Sequence, residues 1–291
     1  MMSNGPHILC AGLVALDMEL SVPAYPVMGL KHKASGSRFL GAGGALNAAT
    51  AVVQLGGQAT LRTAIGDDAL ADLLEARMQG RGVALGQVHR VAGQTTSHSA
   101  VLIQPDGERT IINFRQDSLC DDLPPLPAGF TFDAVLCDTR FAALSAPLLA
   151  AARAAGKPAV LDAEAPVRLV GDAVHEASHI AFSMQGLSDY AGKADARTLR
   201  EVARSLRCWA CVTRGPDPVL CDDGQNSYEI AVPRATARNT NGAGDFWHAA
   251  FTLALAGTCA EPDAVRAANW AAARYVAGLP MQNLQSFLET Q

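Results

Sequence analysis

From residue 133 onward the chain keeps one rhythm, in which short apolar runs alternate with helical stretches, and this rhythm restricts the fold more than any other feature. The runs 133–137, 159–162, 179–183 and 209–213 alternate with stretches of helical spacing at 144–155 and 196–207. Continuous apolar strands separated by helices predict a parallel sheet with helices on both faces. The run 7–12 predicts another strand, either an edge strand or the first of the core. Residues 45–55, stopped by Gly56-Gly57, and 68–79, which opens on acidic residues, predict helices. Two more helices are predicted at 243–256 and 263–276, joined through 257–262.

Two segments break the rhythm. The first, about 18–40, carries Pro23, Pro26 and Gly29 and has no sustained periodicity. The second, about 95–116, reads as two strands around the turn Pro105-Asp106-Gly107. Together they predict a small β-sheet lid over the C-terminal edge of the main sheet, where α/β folds bind ligands. The expected fold class is α/β, a three-layer Rossmann-like core with a parallel central sheet and this lid. At 291 residues the chain fits a single domain spanning 1–291.

The net charge of -5, with no basic block, argues against nucleic acid or an anionic membrane as partner. No apolar run reaches the roughly 18 residues of a membrane span, and no secretory signal opens the chain, so the expected location is cytoplasmic. Seven cysteines, an odd number scattered through apolar runs, predict buried, reduced thiols. Cys208 and Cys211 are spaced as a metal pair, yet they fall in a predicted strand, where positions three apart face opposite ways. No second pair completes a metal site.

The most informative stretch is Asn239-Thr240-Asn241-Gly242-Ala243-Gly244-Asp245, followed by an apolar helix. Small residues let the backbone turn tightly and approach a ligand. The N–H groups of Ala243, Gly244 and Asp245 would then open a helix N-terminus, an anion site suited to a transferring phosphoryl group. A carboxylate in that first turn is placed to accept a proton from a hydroxyl. Taken alone, the segment is equally readable as a glycine loop with an acidic helix cap.

Gly242-Ala243-Gly244-Asp245 resembles the second signature of the ribokinase-like (PfkB) carbohydrate kinases, and Ala42-Gly43-Gly44-Ala45-Leu46-Asn47, with Ala49, Gly56 and Gly66, resembles the first. The resemblance implies an ATP-dependent sugar kinase that uses Mg²⁺, with sugar and ATP as ligands and a homodimer as the assembled form. It implies Asp245 as catalytic base and Gly242, Ala243 and Gly244 as the anion hole. Gly43, Gly44, Asn47 and Asp17 would bind the sugar. Thr213 and Gly215 would hold nucleotide phosphate. Asn269 matches a position near the adenine, with a plain surface amide as the other reading.

The chain also departs from the family pattern. The usual Asn-x-x-Glu falls at Ser183-Met184-Gln185-Gly186, which implies Mg²⁺ held mostly by phosphate oxygens and water. Pro218 replaces a glycine of the phosphate loop, and Asn239 replaces the commoner Asp, which leaves a monovalent-cation site open. Segments 106–113 and 136–140, with Ser183-x-x-Gly186-Leu187, are similar to the ketohexokinase and sulfofructose kinase branch. That likeness implies Lys31, Asn113 and Arg140 at the anionic end of a ketose-like acceptor whose primary hydroxyl is phosphorylated, sulfofructose or fructose among the candidates. Arg140 reads alternatively as a structural salt bridge to Asp17 or Asp138. Ribose, a nucleoside and 2-keto-3-deoxygluconate are the rival acceptors, and a catalytically weak sugar-binding homologue is the rival to an enzyme. His248 reads as a helix-packing residue.

Overall fold

The computed structural model describes residues 5–238 and 240–289. Strand β1 (His7–Ala11) passes into β2 (Ala15–Ser21), and β3 (Gly36–Ala42) returns to helix α1 (Gly44–Gln54). Then come β4 (Gln58–Gly66), α2 (Ala69–Met78), β5 (Ala84–Val91) and the hairpin β6 (His98–Ile103) and β7 (Arg109–Phe114). The alternating portion follows as β8 (Ala134–Cys137), α3 (Ala142–Ala154), β9 (Ala159–Ala163), α4 (Ala173–Glu176), β10 (His179–Ser183), α5 (Met184–Ala191), α6 (Ala196–Leu206) and β11 (Trp209–Arg214). The antiparallel pair β12 (Asp217–Asp222) and β13 (Ser227–Ile230) precedes α7 (Ala243–Ala256), α8 (Glu261–Val276) and α9 (Leu284–Leu288).

The main sheet runs β13-β12-β11-β10-β9-β8-β1-β4-β5, parallel throughout except where β12 and β13 close one edge. Strand β1 is therefore central, not an edge. Ile8, Leu9, Cys10 and Ala11 are wholly buried because helices cover both faces. Along β10, Ile180 and Phe182 pack toward α3 and α6, whereas Ala181 packs toward α1, α7 and α8. This period-two division repeats in β8 and β11, and it places Cys208 and Cys211 on opposite sides. All seven cysteines are free, and only Cys259 is not fully buried. Burial pushes the thiols of Cys10 and Cys208 up to about 12.

Strands β4 and β5 stand beside β1 although Gln58, Thr60, Arg62 and Thr63 interrupt the apolar pattern of β4. The chain grows outward from β1 through β4 and β5, then crosses back to lay β8 on the other flank. The crevice for ligands in such sheets opens where that direction reverses, at the carboxyl ends of β1 and β8. A second sheet, ordered β3-β2-β6-β7, is rooted there. It contains the expected hairpin, with β6 and β7 antiparallel, while β2 and β6 pair in parallel. Among the described residues no helix is long and apolar enough to cross a membrane.

Candidate active site

Helix α7 is apolar all round and buried from Phe246 to Leu255, between the sheet, α1 and α8. Its N-terminus emerges at the crevice. Gly242 precedes it with a φ of 80°, a conformation that strains any side-chain-bearing residue. Tyr275 of α8 fixes this turn: its hydroxyl donates to the Asn241 carbonyl at 2.6 Å, and its ring stacks on Phe246. The Ala243 N–H is turned back to the Thr240 carbonyl at 3.2 Å. The N–H groups of Gly244 and Asp245 lie in the first turn, which has no intrahelical acceptors. A side-chain carbon built at Gly244 would meet no protein atom within 4 Å.

Asp245 is half-buried, and Asn47 Nδ2 of α1 donates to its Oδ2 at 2.8 Å. Gly43 makes that approach possible. With a φ of 103° it lies so close to β1's exit that a Cβ would fall 2.3 Å from the Leu13 carbonyl oxygen. Gly44 lies beside two carboxylates, its would-be Cβ 3.4 Å from Asp245 Oδ1 and 3.6 Å from Asp138 Oδ2. Burial pushes the Asp245 carboxyl up to about 7, and Asp162 and Asp138 add to the rise, against the opposing pull of Asn47 and His248. Asp138 is pushed up to about 6 by burial, although the N–H groups of Arg140 and Leu13 donate to it at 2.9 and 2.7 Å.

The second sheet supplies a polar row. Asp17 on β2 is in register with Ser99 on β6, which is in register with Asn113 on β7, so the three share one face. Burial raises the Asp17 carboxyl, opposed by Ser99 and by the charge of Arg115. Arg115 Nη2 donates to Ser99 Oγ at 3.2 Å, and burial lowers its pKa, with Asp17 opposing and Arg140 adding. The side chain of Arg140 is exposed and forms no ion pair with Asp17 or Asp138. The structural salt-bridge reading of this residue is therefore not what the fold builds.

A family model described as pfkB family carbohydrate kinase matches residues 6–279. The chain belongs to the pfkB family of carbohydrate kinases. It is thus a phosphotransferase acting on sugar hydroxyls. A provisionally assigned ribokinase from Agrobacterium tumefaciens superposes with a TM-score of 0.86 at 29% identity, covering 98% of this chain and 97% of the other. Arabidopsis thaliana ribokinase, solved with ribose and ATP, has a TM-score of 0.80 at 21% identity, covering 98% of each chain. Mouse ketohexokinase is 32% identical over 107 residues, a match that spans 36% of either chain.

In this pfkB-family kinase, Asp245, Gly242, Gly244, Gly43, Gly44 and Asn47 gather at the α7 N-terminus, with Asp17 and Asn113 on the second sheet. Lys31 sits exposed on the β2–β3 connection, and no hydrogen bond or ion pair among the described residues ties it to that group. Thr213 is the penultimate residue of β11, its hydroxyl donating to the Phe182 carbonyl at 3.3 Å, and Gly215 opens the tight turn into β12 with a φ of 62°. Asn269 is not a surface amide. It is buried, accepting from Trp247 Nε1 at 2.7 Å and donating to the Ala231 carbonyl at 3.0 Å, and so ties α8 to α7. Asn239 lies outside the described residues.

The departure from Asn-x-x-Glu is built into the packing. Ser183 caps α5 by accepting from the Gly186 N–H at 2.9 Å, and a Cβ at Gly186 would fall 1.9 Å from the Ala163 carbonyl oxygen. A glutamate has no room there. Sequence reasoning passed over Asp162, Arg115 and Tyr275, and weighed Asp138 only as a partner for Arg140. None of these lies inside either glycine signature, and only the fold brings the ends of β8, β9 and α8 together. His248, read as a packing residue, proves to hold Asp162 Oδ1 through Nε2 at 3.1 Å.

Proposed function

We propose that this kinase transfers the γ-phosphoryl group of ATP to a primary hydroxyl of a ketose-like sugar that carries an anionic end, working as a single kinase domain. The observation that carries the reading is the Asp245 carboxylate, set in the first turn of α7 and held by Asn47. Asp245 takes the proton of the attacking hydroxyl as base. The N–H groups of Gly244 and Asp245 and the α7 dipole stabilise charge on the transferring group. Thr213 and Gly215, at the end of β11, hold the nucleotide phosphates. The fold likeness to a ribokinase solved with ATP supports the choice of donor.

On the acceptor side, Asp17, Asn113, Gly43, Gly44 and Asn47 bind hydroxyls, while Arg140 receives the anionic group, with Lys31 of the β2–β3 connection assigned to the same end. Arg140 suits that task because its exposed guanidinium forms no ion pair among the described residues, although Asp138 feels its charge, and Arg115 adds positive charge nearby. Among the described residues no group of three or more His, Cys, Asp or Glu side chains forms a metal cage. Mg²⁺ keeps several waters and binds through substrate phosphates, so it would arrive with the nucleotide, and no step here depends on a protein cage. Ile111, Ile112 and Phe114 of β7 are exposed on the lid, which supports pairing of lids in a homodimer, readable by sedimentation velocity. A coupled ADP-release screen across sulfo-sugars, sugar phosphates, neutral ketoses, pentoses and nucleosides tests the whole reading. Turnover confined to pentoses or nucleosides would defeat the acceptor, and no turnover with any of them would defeat the kinase mechanism.

A further inference from the structure

The carboxylates Asp138 from the end of β8, Asp162 from β9 and Asp245 from α7 crowd one end of the crevice, and Glu164 follows two residues after Asp162. Crowded carboxylates oppose one another's ionisation. One buried residue answers them. His248 stands one turn after Asp245 on the same face of α7, only 5% exposed, with Nε2 3.1 Å from Asp162 Oδ1. Its Nδ1 is also buried and has no hydrogen-bond partner among the described residues. A helix-packing residue needs neither ring nitrogen, and an apolar side chain would avoid burying the unmatched one.

We infer that His248 is a positioning residue: as an imidazolium it balances the charge of Asp162, so that Asp245 can carry its own negative charge beside two other carboxylates. The inference rests on reading Asp245 as the base. Asp245 feels Asp162, Asp138, Asn47 and His248 and in turn raises the Tyr275 hydroxyl, while His248 feels Asp162, Asp245 and Glu164. Burial pulls the imidazole pKa down, but Asp162, then Asp245 and Glu164, reverse that pull and leave it raised. Without His248, Asp162 would stand uncompensated and drive Asp245 further toward its protonated form.

Two measurements test this. In the wild-type protein at neutral pH, ¹⁵N spectra of His248 should show both ring nitrogens protonated, and a neutral ring would overturn the inference without any variant. In His248→Gln, which keeps a donor near Asp162 but not the charge, the Asp245 carboxyl followed by ¹³C NMR should titrate about one unit higher. The acid limb of kcat/KM should move with it, so that activity on that limb falls about tenfold while the alkaline plateau holds. Adding Asp162→Asn removes the uncompensated charge and should return both to near wild type. A merely structural role would lower activity at every pH and leave the titration unmoved, and that result would overturn the inference. If the carboxyl titration moves and the kinetic limb does not, the charge balance stands and the base assignment falls.

Discussion

Replacing Asp245 with Asn keeps the side chain's size but removes the carboxylate oxygen proposed to accept the hydroxyl proton. Turnover should fall about 10²–10⁴-fold with sugar affinity nearly unchanged, as read by steady-state kinetics and calorimetry. In the wild type, kcat/KM should rise with pH to a plateau above about 7, because the carboxyl pushed up to that value must lose its proton before it can act. Arg140→Ala is the sharper test of the acceptor. The Michaelis constant for a sulfo- or phosphosugar should rise by about 1.5–3 kcal/mol of lost charge-assisted bonding, and that for a neutral ketose should barely change. At this scale the glycine signatures made Asp245 and its turn legible in the sequence. Asp138, Asp162 and Arg115 were not, since each is an ordinary residue until strand ends are placed side by side. Asn47, expected to meet sugar hydroxyls, also gives one amide N–H to Asp245, a contact that the signatures alone do not disclose.

Helix α7 presents stability and function as separable at a single glycine. Gly244 lies in a helical turn with open space where a Cβ would go, so Gly244→Ala should raise the melting temperature or leave it unchanged, because alanine is the better helix former by about 0.5–1 kcal/mol. The same methyl group would project into the space proposed for the transferring anion, and turnover should drop about a hundredfold. Gly186 at the start of α5 gives the opposite pattern. A methyl there collides with the Ala163 carbonyl, so Gly186→Ala should destabilise the fold by about 1–3 kcal/mol, measurable by urea unfolding. The elements themselves were largely readable. Strands β8 to β11 and helices α3, α6 and α7 follow the apolar periodicity within a few residues. The reading missed β4, whose polar residues obscure its pattern, and β12 and β13, which lack the helical spacer that the rhythm leads one to expect.

Across the whole molecule, the crowded carboxylates make stability depend on pH in an unusual direction. Asp138 and Asp245, at about 6 and about 7, hold protons more tightly when folded than an exposed carboxyl at ~4 does. Between about pH 4 and pH 7 the folded state therefore binds more protons than the unfolded one. The stability these groups contribute is full below that window and is lost as pH rises through it. The ligand-free protein's melting temperature should accordingly decline from about pH 5.5 to about pH 7.5, and the decline should be shallower in Asp245→Asn. Family and fold were legible because two signatures and one long rhythm span the chain. Which strand would be central was not, because that depends on the crossing from β5 to β8. The distribution of thiols also gives experimenters a practical handle. Six of the seven cysteines are buried, so a maleimide dye should attach at Cys259 alone. That residue sits just past the far end of α7, whose last residue is about 16 Å along the helix from Asp245. A fluorophore there would report on the helix that bears the acidic centre while leaving the crevice clear, with no prior mutagenesis.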